Sequence, residues 1–137
     1  MSSKQWEEIA HTADWSIRVW GQDRRALFEN AARGMVSLIG GEADPAQDPV
    51  ACGLTLEADD WETLLVDFLT EILYLIEDDG LVCGHIEVAR AAGHQLAATV
   101  EGRAGGRFNK EIKAVTYHNL AIRHTDQGFE TTIVFDV

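Results

Sequence analysis

The chain has 137 residues, 46% of them hydrophobic and 25% charged, with only two prolines. Such a composition can bury a core, which argues against disorder, and the length predicts one domain over residues 1–137. Twenty-three acids against eleven lysines and arginines leave a formal charge of −12. That charge opposes wrapping a phosphate backbone over a broad surface, so no stable direct nucleic-acid binding is expected. No apolar run reaches the ~18 residues of a membrane span, and Met1 to Glu8 lacks a signal-peptide core, so the expected place is the cytoplasm, with no membrane.

In chain order, Trp6 to His11 reads as a short strand. Trp15 to Trp20 sets Trp15, Ile17 and Val19 against Ser16, Arg18 and Trp20, the alternation of a half-buried strand closed by Gly21. Asp23 stands where an N-cap belongs, before a helix whose Leu27, Phe28, Ala31, Ala32, Met35, Leu38 and Ile39 share one stripe, stopped by Gly40 and Gly41. After a loop over Ala43 to Pro49, Val50 to Glu57 alternates again. Asp59 and Glu62 resemble a capping box for a second amphipathic helix, Trp61 to Ile76, which Asp78-Asp79-Gly80 ends. The remainder reads as strands: Leu81 to Ala89 with a bulge at Gly84, His94 to Arg103, Val115 to His124, and Phe129 to Asp136 after a glycine-bearing turn. The fold class is therefore α+β, most simply a mixed β-sheet with the two main amphipathic helices packed on one face.

Charge is polarised along the chain. No lysine or arginine occurs between Arg33 and Arg90, a stretch with thirteen acids from Glu42 to Glu87, whereas Arg103 to Arg123 sets five basic residues against Glu111. This pattern suits steering toward a complementary partner, and equally well a set of solvated faces. Neither a phosphate-cradling loop, a nucleophile elbow nor HExxH is present, so no catalytic residue is assigned. The two cysteines, Cys52 and Cys83, read as reduced and packed, and a metal pair of Cys83 with His85 is the weaker alternative.

Three polar regions interrupt the apolar pattern. His11-Thr12-Ala13-Asp14 breaks two strands, Val134-Phe135-Asp136-Val137 places an acid just before the end, and Lys113-Ala114-Val115-Thr116-Tyr117-His118 gathers an amine, a hydroxyl, a phenol and an imidazole. If the last strand lies near the first loop, Asp14, Asp136 and the Val137 terminal carboxylate converge on a hard divalent cation, Ca²⁺, Mg²⁺ or Mn²⁺. The alternative is a turn residue and a solvated strand end. Lys113 and His118 could likewise contact phosphate or a partner's acids, or form an ordinary strand with a charged lead-in.

These blocks, with RVWGQDRRALFENAARGM from Arg18 to Met35, LLVDFLTEILYL from Leu64 to Leu75 and KAVTYHNL from Lys113 to Leu120, resemble the archease family over the whole chain and in its order. The resemblance implies a small α+β protein cofactor of the GTP-dependent RtcB-type RNA ligase of tRNA splicing and repair. Such a cofactor speeds guanylylation of the ligase and permits multiple turnover without being an enzyme itself. It implies a divalent-cation site at Asp14 and Asp136, with Val137 alongside, and a functional role for Lys113; His118 and His11 join it as candidate partner or nucleotide contacts. Ala104 to Lys110 departs from the family's acidic, histidine-bearing turn at that place. Two other classes stay open: a small metal-dependent phosphoesterase with His118 as acid or base, which predicts turnover by the isolated protein, and a chaperone-like scaffold, which predicts binding without metal dependence.

Overall fold

The computed structural model describes residues 4–10 and 15–137. In chain order the elements are β1 (Trp6–Ala10), β2 (Trp15–Gly21), α1 (Arg24–Ile39), β3 (Val50–Glu57), α2 (Trp61–Asp79), β4 (Val82–Ala92), β5 (Gln95–Arg103), β6 (Ala114–Val115), β7 (Arg123–Thr125) and β8 (Gly128–Asp136). His11 and Asp14, two of the residues singled out in the sequence, lie outside the described residues.

The α+β class and both helices are as the sequence implies. The strands divide into two sheets, where the sequence reading had one mixed sheet. One runs β1-β2-β8-β6, with β7 also paired to β8, and the other runs β3-β5-β4. Every strand pairing described is antiparallel. The division follows from α1, which leaves β2 and packs on β1 and β2 of the first sheet and on β4 of the second. It serves both sheets, so the two helices do not share one face of one sheet. Close approach to β1 and β2 is possible because position 34 is glycine: a Cβ there would lie 2.9 Å from Ile17 Cδ1 and 3.0 Å from Trp6 Cγ.

The α1 stripe is buried as its periodicity requires, with Leu27, Phe28, Ala31, Ala32 and Met35 fully enclosed. The Asp23 carboxylate accepts a hydrogen bond from the Ala26 N–H at 2.8 Å and caps the helix. On α2, Leu64, Leu65, Phe68, Leu69 and Ile72 are enclosed in the same core, which also takes Ile133 and Phe135 from β8 and Val88 and Val100 from the second sheet. Each large apolar side chain so buried contributes about 1.5–3 kcal/mol over its exposed state.

Three local expectations change. The cap of α2 is Asp60 rather than Asp59, its carboxylate accepting from the Thr63 N–H at 2.7 Å. That bond holds the Asp60 carboxyl below its usual range, with His94 adding to the effect. Glu62 closes no capping box; it accepts from the Ile122 N–H at 3.0 Å and ties the late loop to the start of α2. The expected strand from Val115 to His124 is broken into β6 and β7. At the break the Thr116 hydroxyl takes the His118 N–H at 3.2 Å, and Asn119 adopts a left-handed φ of 53°. The bulge at Gly84 is present as a register shift between Cys83 and His85.

Candidate functional site

The ladder between β2 and β8 pairs Trp15 with Phe135, Ile17 with Ile133 and Val19 with Thr131. Their side chains face the core, and Phe135 is fully buried. By strand alternation Asp136 then faces out, and it is exposed. Burial of Phe135 therefore fixes where the Asp136 carboxylate emerges.

The KAVTYH block is stitched to this strand end by its backbone. Ala114 pairs with Asp136 and Val115 with Phe135. The Lys113 N–H donates to the Asp136 carbonyl oxygen at 2.7 Å, and the Thr116 N–H and hydroxyl both donate to the Val134 carbonyl oxygen at 3.0 Å. Ile112 and Val115, both buried, anchor the segment on either side of Lys113. The Lys113 side chain is exposed, and among the described residues no ion pair includes Lys113 or Asp136. The structure thus brings Lys113, Asp136 and Val137 to one end of the ladder. The chain turns away after Thr116, and exposed His118 has Nε2 3.4 Å from the Asn119 side-chain nitrogen rather than a carboxylate.

Sequence reasoning missed two contributors. The Lys110 ammonium lies 5.3 Å from the centre of the Trp15 ring, a cation–π contact at the first described residue after Asp14. The basic cluster was the signal for Lys110, but nothing in the spacing pointed to Trp15. The segment before Lys110 is docked by Gly105 and Gly106 N–H groups donating to the Asp79 and Gly80 carbonyl oxygens, and by reciprocal hydrogen bonds between Glu42 and Arg107. The departing turn at 104–110 therefore closes the C-terminal end of α2.

Among the described residues, no group of three or more His, Cys, Asp or Glu side chains is placed to hold a metal. The Cys83–His85 pair is set aside by geometry. Because of the bulge, Cys83 pairs with Gly102 while His85 pairs with the next residue along, Glu101, so the two side chains leave on opposite faces. Burial, with Cys52 adding, pushes the Cys83 thiol up to about 11. No helix of the described chain is long and apolar enough to cross a membrane.

An α+β protein in which the last strand carries an acid beside a lysine-bearing segment is the class these elements define. The Archease protein family (MTH1598/TM1083) matches residues 6–137. Archease of Methanosarcina barkeri is 35% identical over 142 aligned positions, covering 98% of this chain and 97% of its own. Archease of Archaeoglobus fulgidus is 34% identical, covering 94% and 96%. Among solved structures, a Methanobacterium thermoautotrophicum protein superposes with a TM-score of 0.72 at 26% identity, over 98% of this chain and all of that one. A Thermotoga maritima archease described as a possible chaperone gives 0.68 at 25% identity, over 96% of each chain. The chain belongs to the archease family.

Proposed function

We propose that this protein is a non-catalytic cofactor of a GTP-dependent RtcB-type RNA ligase, which it assists in guanylylation and multiple turnover through a divalent cation held at the end of the β2–β8 ladder. The observation that carries the reading is the joint register of β2 with β8 and of β6 with β8, which sets Trp15, Asp136 and the Lys113 segment side by side. Asp14 is covalently next to Trp15, and Asp136 is next to Trp15's partner Phe135.

The donor set fits a hard cation: Asp136 is exposed and outside every described ion pair, and its neighbour Val137 is 38% exposed. Asp14 and Asp136, with Val137 alongside, would hold the ion, which supplies positive charge for phosphate oxygens or for a partner's acids. Lys113, its backbone tied to the Asp136 carbonyl, adds an exposed ammonium at the same end. Lys110, packed on Trp15, gives a second cation whose position depends on that ring. An acidic molecule that avoids RNA can in this way present a positive point to a nucleotide-bearing enzyme site.

The test is a guanylylation assay of the ligase with and without this protein, following RNA turnover separately. Asp14→Ala and Asp136→Ala should each abolish stimulation while leaving the melting temperature nearly unchanged. Stimulation by both variants equal to that of the wild type would reject the site. Metal-dependent phosphate-ester hydrolysis by the purified protein alone, lost in Asp14→Ala, would replace the cofactor reading with that of an enzyme.

A further inference from the structure

At the opposite end of the β2–β8 ladder, where Gly21 pairs with Phe129, five side chains from five elements or turns form one continuous stack. The His94 ring lies 4.9 Å from the Trp61 ring. The Arg24 guanidinium lies 4.6 Å from the Trp61 ring centre and 4.6 Å from that of Phe129. The His124 ring lies 4.8 Å from Phe129. Arg24 opens α1, Trp61 opens α2, His94 is in the β4–β5 turn, His124 is in β7 and Phe129 in β8.

This arrangement is costly as mere packing. A cation at the first position of a helix stands at the positive end of its dipole, and in α1 the Asp23 cap is the acid nearest to offset it, since the first turn itself carries none. Among the described residues, no carboxylate pairs with Arg24, and its buried Nε makes no hydrogen bond. In a chain of charge −12 a carboxylate partner would have been easy to supply. The nearby acids Asp23 and Asp60 are committed to capping their own helices. His94 is held in place by a left-handed φ of 56° and by the hydrogen bond its carbonyl accepts from Ala58 N–H at 3.1 Å. His124 is exposed. The Trp61 and Phe129 rings pack on the guanidinium and leave its two Nη nitrogens, which make no described hydrogen bond, as a forked donor. Phe129 and His124 also line an open groove of about 1270 Å³ that runs beside the stack, with Trp20 and Gln22, the cation Arg18 and the acids Asp126 and Glu130 on its walls.

We propose that the stack is an anion site for a phosphate monoester, with the Arg24 fork as the primary donor and His94 and His124 flanking it. A tetrahedral oxyanion accepts two parallel N–H bonds from a guanidinium, and the adjoining groove has room for a group attached to the phosphate. The site is separate from the Asp136 end: six residue steps along the ladder, about 20 Å, lie between them.

The experiment titrates the full chain, in buffer free of phosphate and sulfate, with inorganic phosphate, with adenosine monophosphate and with adenosine, followed by backbone amide shifts. Saturable shifts at Arg24, Trp61 and His124 are expected with both phosphates, with none from adenosine and none at Trp15 or Asp136. Tighter binding of the nucleotide than of inorganic phosphate would identify the groove as holding its nucleoside; equal binding would identify free phosphate as the ligand. Arg24→Gln should weaken binding by about tenfold or more, since a charge-assisted fork is lost. His124→Gln, at an exposed position, should weaken it a few-fold with the fold intact, so the site can be read even if Arg24→Gln unfolds. The proposal is overturned by an absence of saturable shifts with either phosphate at millimolar concentration, by adenosine binding as well as its monophosphate, or by wild-type affinity in His124→Gln.

Discussion

The two ends of the β2–β8 ladder are chemical opposites built on one rigid spacer. At the Trp15–Phe135 end the strand delivers an exposed acid, Asp136, and the neighbouring segment delivers lysines. At the Gly21–Phe129 end the two helices start, and an arginine packs against two rings. Between them Ile17, Val19, Ile133 and Thr131 are buried and carry no exposed function. Chemistry is thus concentrated where the ladder stops and the side chains that interrupt the apolar pattern have nothing to pair with. A core ladder of this kind fixes positions at both ends.

The comparison breaks most completely if the spacer is loosened. Phe135→Ala removes a fully buried ring whose placement aims Asp136, and should cost about 3–5 kcal/mol of unfolding free energy, read by denaturant titration. It should also weaken ligase stimulation in whatever fraction stays folded. Retention of both stability and stimulation would show that the ladder does not position the acid.

Next in size is the difference between the two lysines. Lys113→Ala should reduce ligase stimulation much more than Lys110→Ala at every ionic strength, because the Lys113 backbone is tied to Asp136 and its side chain is exposed to a partner, while the Lys110 ammonium is engaged by a ring. Lys113→Arg should rescue only in part, the guanidinium being larger and planar. Equal losses that fade as salt shortens the Debye length below about 8 Å would make both residues steering charges. Lys110→Ala should itself lower stability by only about 0.5–1 kcal/mol through the lost Trp15 contact.

A smaller effect belongs to the other end. Asp23→Ala, removing the α1 cap beside Arg24, should cost about 1 kcal/mol by thermal or denaturant unfolding and leave ligase stimulation unchanged. A loss of stimulation there would mean that the two ends communicate.

At neutral pH the least visible effect is a pH dependence from the second sheet, which shows only in alkaline solution. The Cys83 thiol has its pKa raised from 9.0 to about 11 by burial and by Cys52. The unfolded chain therefore releases this proton first, so the contribution is fully present below pH 9.0 and is lost as pH rises toward about 11. Cys83→Ala should flatten that part of the stability profile, and an unchanged slope would mean the thiol is more accessible than the fold implies.

How much of this was legible in the sequence depended on whether a feature is made by neighbours in the chain. The stripes of α1 and α2, the Asp23 cap and the Gly84 bulge are local, and periodicity or turn chemistry suffices for them. The choice between Asp59 and Asp60 as cap turned on a single residue of helix start, which two adjacent acids leave ambiguous. The break after Val115 was hidden because Tyr117, Ile122 and their neighbours suit a strand. The Thr116 hydroxyl wins by bonding both to Val134 and to its own turn. Partition into two sheets depends on which strands α1 touches, and the Arg24 stack draws its members from across the chain; neither leaves a pattern in any window of sequence. At the candidate site, the residues carrying the family motif pointed to Lys113 and Asp136, whereas Lys110 on Trp15 emerged only from the fold.

The central claim, a cation at the Asp136 end and not elsewhere on an acidic surface, is tested most directly by titrating the isotope-labelled protein with Mn²⁺ and reading paramagnetic broadening of backbone amides. Broadening at low metal ratio should centre on Trp15, Lys113 and Asp136, spare Phe129 and Arg24 at the far end, and vanish in Asp136→Ala. Broadening that instead centres on Asp78 and Asp79 at the end of α2, or that persists in Asp136→Ala, would contradict the account.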